Sequence, residues 1–286
     1  KVAQHLLDLG VNGLQTNKPL GLAKTLKIHQ NDVTDMGGTH ARTHTIIHVT
    51  SEKDVLGAIA TAKERKLLIT IAGRRHSMGG QTLLNGALLL NMLPYNRISY
   101  DPQTKILKAQ AGAIWKDIQN LLDQNGRSVK VMQSDNIFTI GGSLSVNVHG
   151  WQVGAPPLSS TVKSIKVATA NGEILKLTAH DTPELFKAVL GGYGLLALIL
   201  EVELETVANT TLKFQTQFGP MGDFEKIFNQ HVRDNPKAEL AYGRVSVDKK
   251  NLLREFGLFW FETETPGSPD RIQDEKWISF KRDVFR

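Results

Sequence analysis

Apolar and polar residues along this 286-residue chain change period several times, and each change predicts an element. Residues 43–50, THTIIHVT, are rich in β-branched side chains and predict a strand. Ser51 then opens a helix, with Asp54 three positions on as its capping partner. Val55, Leu56, Ile59 and Ala62 form one apolar stripe, and the basic stretch KERK at 63–66 closes the helix favourably. LLITIAG at 67–73 predicts a second strand, apolar enough to be buried on both faces. The result is a β-α-β unit. The stretch IAGRRHSMGGQ, residues 71–81, falls at the C-terminal edge of its second strand, where open α/β sheets place their ligands.

Further on, residues 97–112 read as a hairpin turning at Asp101-Pro102. Ile114, Trp115, Ile118, Leu121 and Leu122 make a second helical stripe, stopped by Asn125-Gly126. Residues 161–178 alternate around Asn171-Gly172 and predict a hairpin with a type I′ turn. Asp181 to Glu184 starts a helix that carries Leu185, Phe186, Val189 and Leu190 and ends at Gly191-Gly192. Over 195–207 the alternation is strict, placing Leu196, Leu198, Leu200, Val202 and Leu204 on one face of a strand. After Val207 the strands TLKFQTQF, AYGRVSV and FGLFWFETE, with a short helix from Asp223, predict the start of a second α+β domain. No closing element follows them, so that domain is expected to be incomplete.

Composition narrows the function classes. With 41% apolar and 22% charged residues the chain is of ordinary globular make-up, long enough for about two domains. No apolar run approaches the ~18 residues of a membrane span, and the N-terminus has no hydrophobic core of the signal-peptide kind. A soluble protein is expected, with a cytoplasmic location preferred, and the missing initiator methionine suggests a processed, tagged or truncated start. Cysteine is absent, which removes disulfides, thiolate metal sites and cysteine nucleophiles. A net charge of +6 permits anionic ligands, but the basic residues are scattered. Four tryptophans and four tyrosines make no basic-aromatic stripe, so nucleic acid is not an expected partner. His40, His44 and His48 have the spacing of a helical metal face. On a strand, however, residues four apart lie about 13 Å from each other, and no metal site is expected.

Two stretches carry candidate chemistry. In IAGRRHSMGGQ the glycines allow successive N–H groups to point into one concavity, and two arginines make a phosphate or pyrophosphate a sensible guest. Neither the phosphate-loop pattern G-x-x-x-x-G-K-[ST] nor the dinucleotide fingerprint G-x-G-x-x-G is present. In SDNIFTIGGSLSVNVHG, 134–150, Gly141-Gly142 lies between Thr139 and Ser143, and Ser145, Asn147 and His149 follow at alternating positions. That pattern fits a second ligand wall of hydroxyls and free amides. It equally fits a glycine-kinked buried strand whose hydroxyls satisfy local backbone.

The order of these features resembles a known family. R-H-S-x-x-G-Q after the β-α-β unit is followed by D-x-x-x-T-x-G-G-x-x-S-x-N, the Asn-Gly hairpin and ELFKAVLGGYGLLALI. It is similar to the FAD-binding domain of the vanillyl-alcohol-oxidase/PCMH flavoproteins, which include cytokinin dehydrogenases and aldonolactone and alditol oxidases. The resemblance implies an α+β chain with a two-subdomain PCMH-type FAD-binding domain at 40–207. An N-terminal extension, 1–39, would precede it, and the start of an α+β substrate or cap domain, 208–286, would follow.

It also implies roles. Ala72, Gly73, Arg74, Arg75, His76 and Ser77 would wrap the FAD pyrophosphate with main-chain amides. His76 stands where many members bond the flavin 8α-methyl group covalently, and Gln81 would contact the flavin. Thr139, Gly141, Gly142, Ser145 and His149 would form the second wall, and Ile199 would meet the adenine through its backbone. Asp135 and His149 are the catalytic candidates, although Asp135 lies one residue nearer the threonine than its cytokinin dehydrogenase counterpart. Arg75 and Ala197 replace common glycines of the family pattern. Without cysteine, single attachment through His76 or none remains. The implied activity is FAD-dependent oxidation of a sugar, polyol or lactone-like alcohol by hydride transfer, with oxygen or another electron acceptor. The alternatives are an amine substrate, or flavin binding without turnover.

Overall fold

The computed structural model describes residues 31–264. Two compact units emerge: the chain to Gly150 together with Ala155–Ala208, and Trp151–Gly154 together with the chain from Asn209. Helices accompany separate parallel and antiparallel sheets, which is the α+β class. Among the described residues no helix is long and apolar enough to cross a membrane.

The first unit opens with a hairpin, β1 (Asp32–Thr34) and β2 (His40–Arg42). Strand β3 (Thr45–His48) leads into helix α1 (Glu52–Arg65), and β4 (Ile69–Ala72) follows. Ser51 caps α1 as its spacing predicts: its side chain accepts from the Asp54 N–H while the Asp54 carboxylate accepts from Ser51. The two strands of this crossover are not neighbours. Strand β5 (Leu88–Asn91) lies between them, parallel to both. It is β5, not β4, that is buried on both faces. Leu89 packs beneath the β1–β2 hairpin with Val33, Ala41 and Ala72, while Leu90 faces α1 with Val55, Ala58 and Ile59. The predicted double burial of 67–73 fails because β4 is an edge strand, and Leu68 just before it is 67% exposed.

The larger sheet is antiparallel. It uses β6 (Ile98–Asp101) and β7 (Ile106–Gln110), then helix α2 (Trp115–Gln124) and a short strand β8 (Arg127–Val129). Helix α3 (Ile140–Ser145) precedes β9 (Val162–Thr169) and β10 (Ile174–Thr178), and helix α4 (Pro183–Val189) precedes β11 (Ala197–Ala208). The strand order is β10-β9-β11-β7-β6, with β8 on the end of β11. The β9–β10 hairpin is present, but its turn is not type I′. Only Gly172 is left-handed, at φ 85°, and its N–H donates to Thr169 O at 2.9 Å across a longer loop. Asn171 need not adopt the positive φ that a two-residue turn demands.

Strand β11 departs from strict alternation. Its pairing with β9 slips between Ile199 and Glu201, the mark of a bulge. Leu198 and Leu200 therefore enter the core beside α1 and β5, whereas Ala197, Ile199, Val202 and Leu204 enter the core beneath α2 and α3. The predicted single face does not form, and Leu196 lies outside the strand, 55% exposed.

The second unit is a three-stranded antiparallel sheet of β12 (Leu212–Pro220), β13 (Ala238–Val245) and β14 (Glu255–Thr263), with β14 central. Helix α5 (Phe224–Phe228) and the turns after it cover one face, where Phe256, Leu258 and Trp260 bury against Val232, Phe224 and Ile227. The segment Trp151–Gly154 joins this unit: Trp151 stacks on Tyr242 with centroids 4.2 Å apart, and Val153 N donates to Glu239 O at 2.9 Å.

Candidate functional site

Strand β4 ends at Ala72, and the chain then enters the basic glycine loop. Gly73 meets the second glycine stretch directly: a Cβ there would lie 2.1 Å from Thr139 Oγ1. No residue but glycine fits. Two steps on, Arg75 adopts φ 54°, a left-handed conformation that glycine reaches without strain. An L side chain in that region costs roughly 1–2 kcal/mol.

The loop is held from outside. Met36 N donates to Arg75 O at 3.0 Å and to Ser77 O at 3.2 Å. The buried Asp35 accepts the Thr39 N–H on Oδ1 at 3.0 Å and the Gly80 N–H on Oδ2 at 2.8 Å. Gly37 packs against Met78, whose carbonyl oxygen would be 2.3 Å from an added Cβ. Sequence reasoning missed this clamp. Its signal was present in DMGG at 35–38, an aspartate followed by two glycines, which favours a side-chain-closed turn.

The second stretch is a helix, neither the strand nor the open loop considered for it. Ile140 and Leu144, four apart and both buried, set the helical period, and Thr139 is the extended residue before it. The Ile140 N–H donates to Ala113 O at 2.8 Å and the Gly141 N–H to Ala111 O at 2.9 Å. These two amides are therefore committed to the protein. Gly141 serves close approach instead, since a Cβ would sit 2.7 Å from Ala111 Cβ. Gly142 is exposed beside Thr139, and the Ser145 hydroxyl donates back to Gly141 O at 2.7 Å.

Gly73, His76, Asp135, Thr139 and Gly142 come together. The His76 ring lies against Phe138, centroids 4.7 Å apart, and its Nδ1 is buried with no hydrogen-bond partner. Ser77 Oγ and Thr82 Oγ1 in the same loop are likewise buried without partners. Desolvation, and then the positive charge of Arg74, hold His76 below its ordinary pKa; Asp135 is near enough to oppose them. The imidazole is thus neutral near pH 7. Asp135 itself is placed by a buried relay, another feature the sequence did not disclose. Trp115 Nε1 donates to Ser143 Oγ at 2.8 Å, Ser143 Oγ to Gln133 Oε1 at 2.9 Å, and Gln133 Nε2 to Asp135 O at 2.6 Å.

Other candidates stand apart. Gln81 turns back, its Oε1 accepting the Gly79 N–H at 3.1 Å. His149 is exposed beyond the C-terminal end of α3. Ile199 buries its side chain in the core, leaving its backbone as the only group it can offer a ligand.

A glycine loop in contact with the start of a glycine-bearing helix, with unpaired hydroxyls and a neutral histidine beside them, describes a class. Residues 43–178 match the family model of the FAD binding domain. Over this stretch the chain is similar to the FAD-binding domain of PCMH-type FAD-linked oxidases, and FAD is the cofactor that the match supports. Among named relatives, a putative D-arabinono-1,4-lactone oxidase of Neurospora crassa is 28% identical over 65% of this chain and 33% of its own length. Cytokinin dehydrogenase 2 of Arabidopsis thaliana is 29% identical over 68% of this chain and 40% of its own. A decaprenylphosphoryl-beta-D-ribose oxidase of Mycolicibacterium smegmatis is 28% identical over 74% of this chain and 47% of its own. The chain thus spans about a third to a half of the length of these three relatives.

The residues present fit FAD. The buried, unpaired Ser77 Oγ and Thr82 Oγ1 suit acceptor oxygens of a diphosphate, Gly73 lets the loop close onto Thr139, and the exposed Arg74 and Arg75 supply positive charge in the same loop.

Proposed function

We propose that this chain is the flavin-binding part of an FAD-dependent oxidoreductase that oxidises a sugar, polyol or lactone-like alcohol. The observation that carries the reading is the meeting of His76, Phe138 and Asp135 at the place where Gly73 abuts Thr139. Support for the substrate class comes from relatives named as D-arabinono-1,4-lactone oxidase, L-galactono-1,4-lactone dehydrogenase and L-gulonolactone oxidase. The similarity to cytokinin dehydrogenase 2 favours an amine substrate as the second reading.

When bound, FAD supplies a hydride acceptor that later passes its electrons to oxygen or another acceptor. In this reading the protein's own residues do the following. Ser77, Thr82 and the amides of the 73–77 loop would hold the diphosphate, with Arg74 and Arg75 offsetting its charge. His76, kept neutral by burial and Arg74, would offer an unprotonated ring nitrogen for single attachment to the flavin. Asp135, whose backbone carbonyl accepts from Gln133 and whose side chain is exposed, takes the proton from the substrate hydroxyl.

The test is spectroscopic. The purified chain should be yellow, and anaerobic addition of aldonolactones or sugar alcohols should bleach it. Bleaching by amines alone would move the assignment to the second reading, and no bleaching with either class would leave flavin binding without turnover. Acid precipitation reads the tether: colour in the pellet, lost in His76→Ala, supports attachment, whereas colour in the supernatant refutes it.

A further inference from the structure

We propose that Tyr193 is the platform on which the adenine ring of FAD stacks, and that it makes this site select a dinucleotide over a mononucleotide. The inference rests on the proposed reading, in which FAD lies against the 73–77 loop and α3.

Tyr193 is held at φ 54°, in a loop whose flanking Gly191 and Gly194 are also left-handed, at 83° and 74°. A bulky residue in that region is a true outlier, and a third glycine would serve the backbone better. Strain of this kind points to a use for the side chain. The side chain is not spent on packing: Tyr193 is 57% exposed, and it continues into Leu195 at 86% and Leu196 at 55%. A ring and two leucines thus face outward at one spot.

That spot is fixed with respect to the flavin loops. Tyr193 N donates to Ser145 O at 2.8 Å and Gly191 N to Leu144 O at 2.9 Å, which pins the loop to the C-terminal end of α3. A Cβ on Gly194 would lie 3.1 Å from Ile71 Cδ1, on β4 just before Gly73. His76 and Phe138 lie at the other end of α3, before the Thr139 cap. The six residues of α3 span about 9 Å, comparable to a diphosphate with the first atoms on either side. With the diphosphate against Gly73 and Gly142 and the flavin toward His76, the remaining ring of FAD reaches the Tyr193 end. Base stacking on an aromatic ring needs no hydrogen-bonding edge, which suits an exposed phenol flanked by leucines.

The experiment uses the full chain in a His76→Ala background, so that flavin cannot be tethered. Apoprotein is titrated with FAD and with FMN by flavin fluorescence, and its melting temperature is measured without ligand. Tyr193→Gly should weaken FAD about tenfold, about 1.4 kcal/mol, and leave FMN unchanged. Its apoprotein should melt no lower than the parent's, and Tyr193→Phe should retain FAD affinity. An unchanged FAD affinity in Tyr193→Gly, or equal loss of FAD and FMN, overturns the platform while leaving the FAD site intact. A parent that binds neither flavin overturns both.

Discussion

Gly73 and Thr139 occupy the same small space: a methyl group on the first would fall 2.1 Å from the hydroxyl oxygen of the second. Two loops far apart in sequence are thereby fused into one wall. Gly73→Ala should destabilise the chain by about 1–3 kcal/mol, the usual cost of overpacking, and abolish FAD binding. Thr139→Ala in the same chain should recover much of that loss. Urea midpoints of the two single variants and the double variant check it, and additive losses would refute a direct clash.

Arg75 stores strain at φ 54°. Arg75→Gly should raise the stability of the flavin-free chain by about 1 kcal/mol, a rise of a few degrees in melting temperature for a chain of this size. FAD affinity should fall more at low salt than at high salt, because an exposed guanidinium is lost. Thermal melts and flavin titrations at two ionic strengths measure both effects.

The depressed pKa of His76 has a defined sign. Its ordinary value is 6.5 and the folded value lies below it, so the unfolded chain binds more protons between the two. Stability linked to this residue is complete above about pH 6.5 and declines as pH falls through the folded value. His76→Asn should flatten the fall in melting temperature between about pH 7 and about pH 5. Proton NMR should show the wild-type ring titrating below 6.5.

Ser143 links Trp115 to Gln133 in a buried relay. Ser143→Ala strands the indole N–H and the amide oxygen, at a cost of about 1–3 kcal/mol. The variant should shift tryptophan emission and loosen the chain around Asp135. Amide exchange at Trp115 and Lys116, which donate to Phe138 O and Asn136 O, reports the second effect, and unchanged protection there would show that the relay does not hold the segment around Asp135.

Much of the first unit was legible because its signals are local. Val55, Ile59 and Ala62 of the predicted stripe are buried and the Ser51–Asp54 cap forms, while Ala58 is buried where Leu56 was expected and Leu56 stays partly exposed. What escaped depends on contacts distant in sequence. Leu88 to Leu90 form the central strand only because β3 and β4 leave room between them. The bulge before Glu201 follows from sharing β11 between two cores, which alternation along one strand does not report. At the site, glycines and hydroxyls announced a ligand wall, yet they could not show that Gly141 N–H is used by Ala111 or that Asp35 clamps Gly80. Arg75 was visible as a departure from the family pattern; its left-handed backbone was not.

The bulged strand also bears on how the first unit comes apart. Leu198 and Leu200 insert into one core and Val202 and Leu204 into the other along a single continuous backbone. Neither core can melt without stripping the shared strand from its partner. The unit should therefore unfold as one cooperative block, and an insertion at Leu200 that resets the alternation should uncouple it into two transitions.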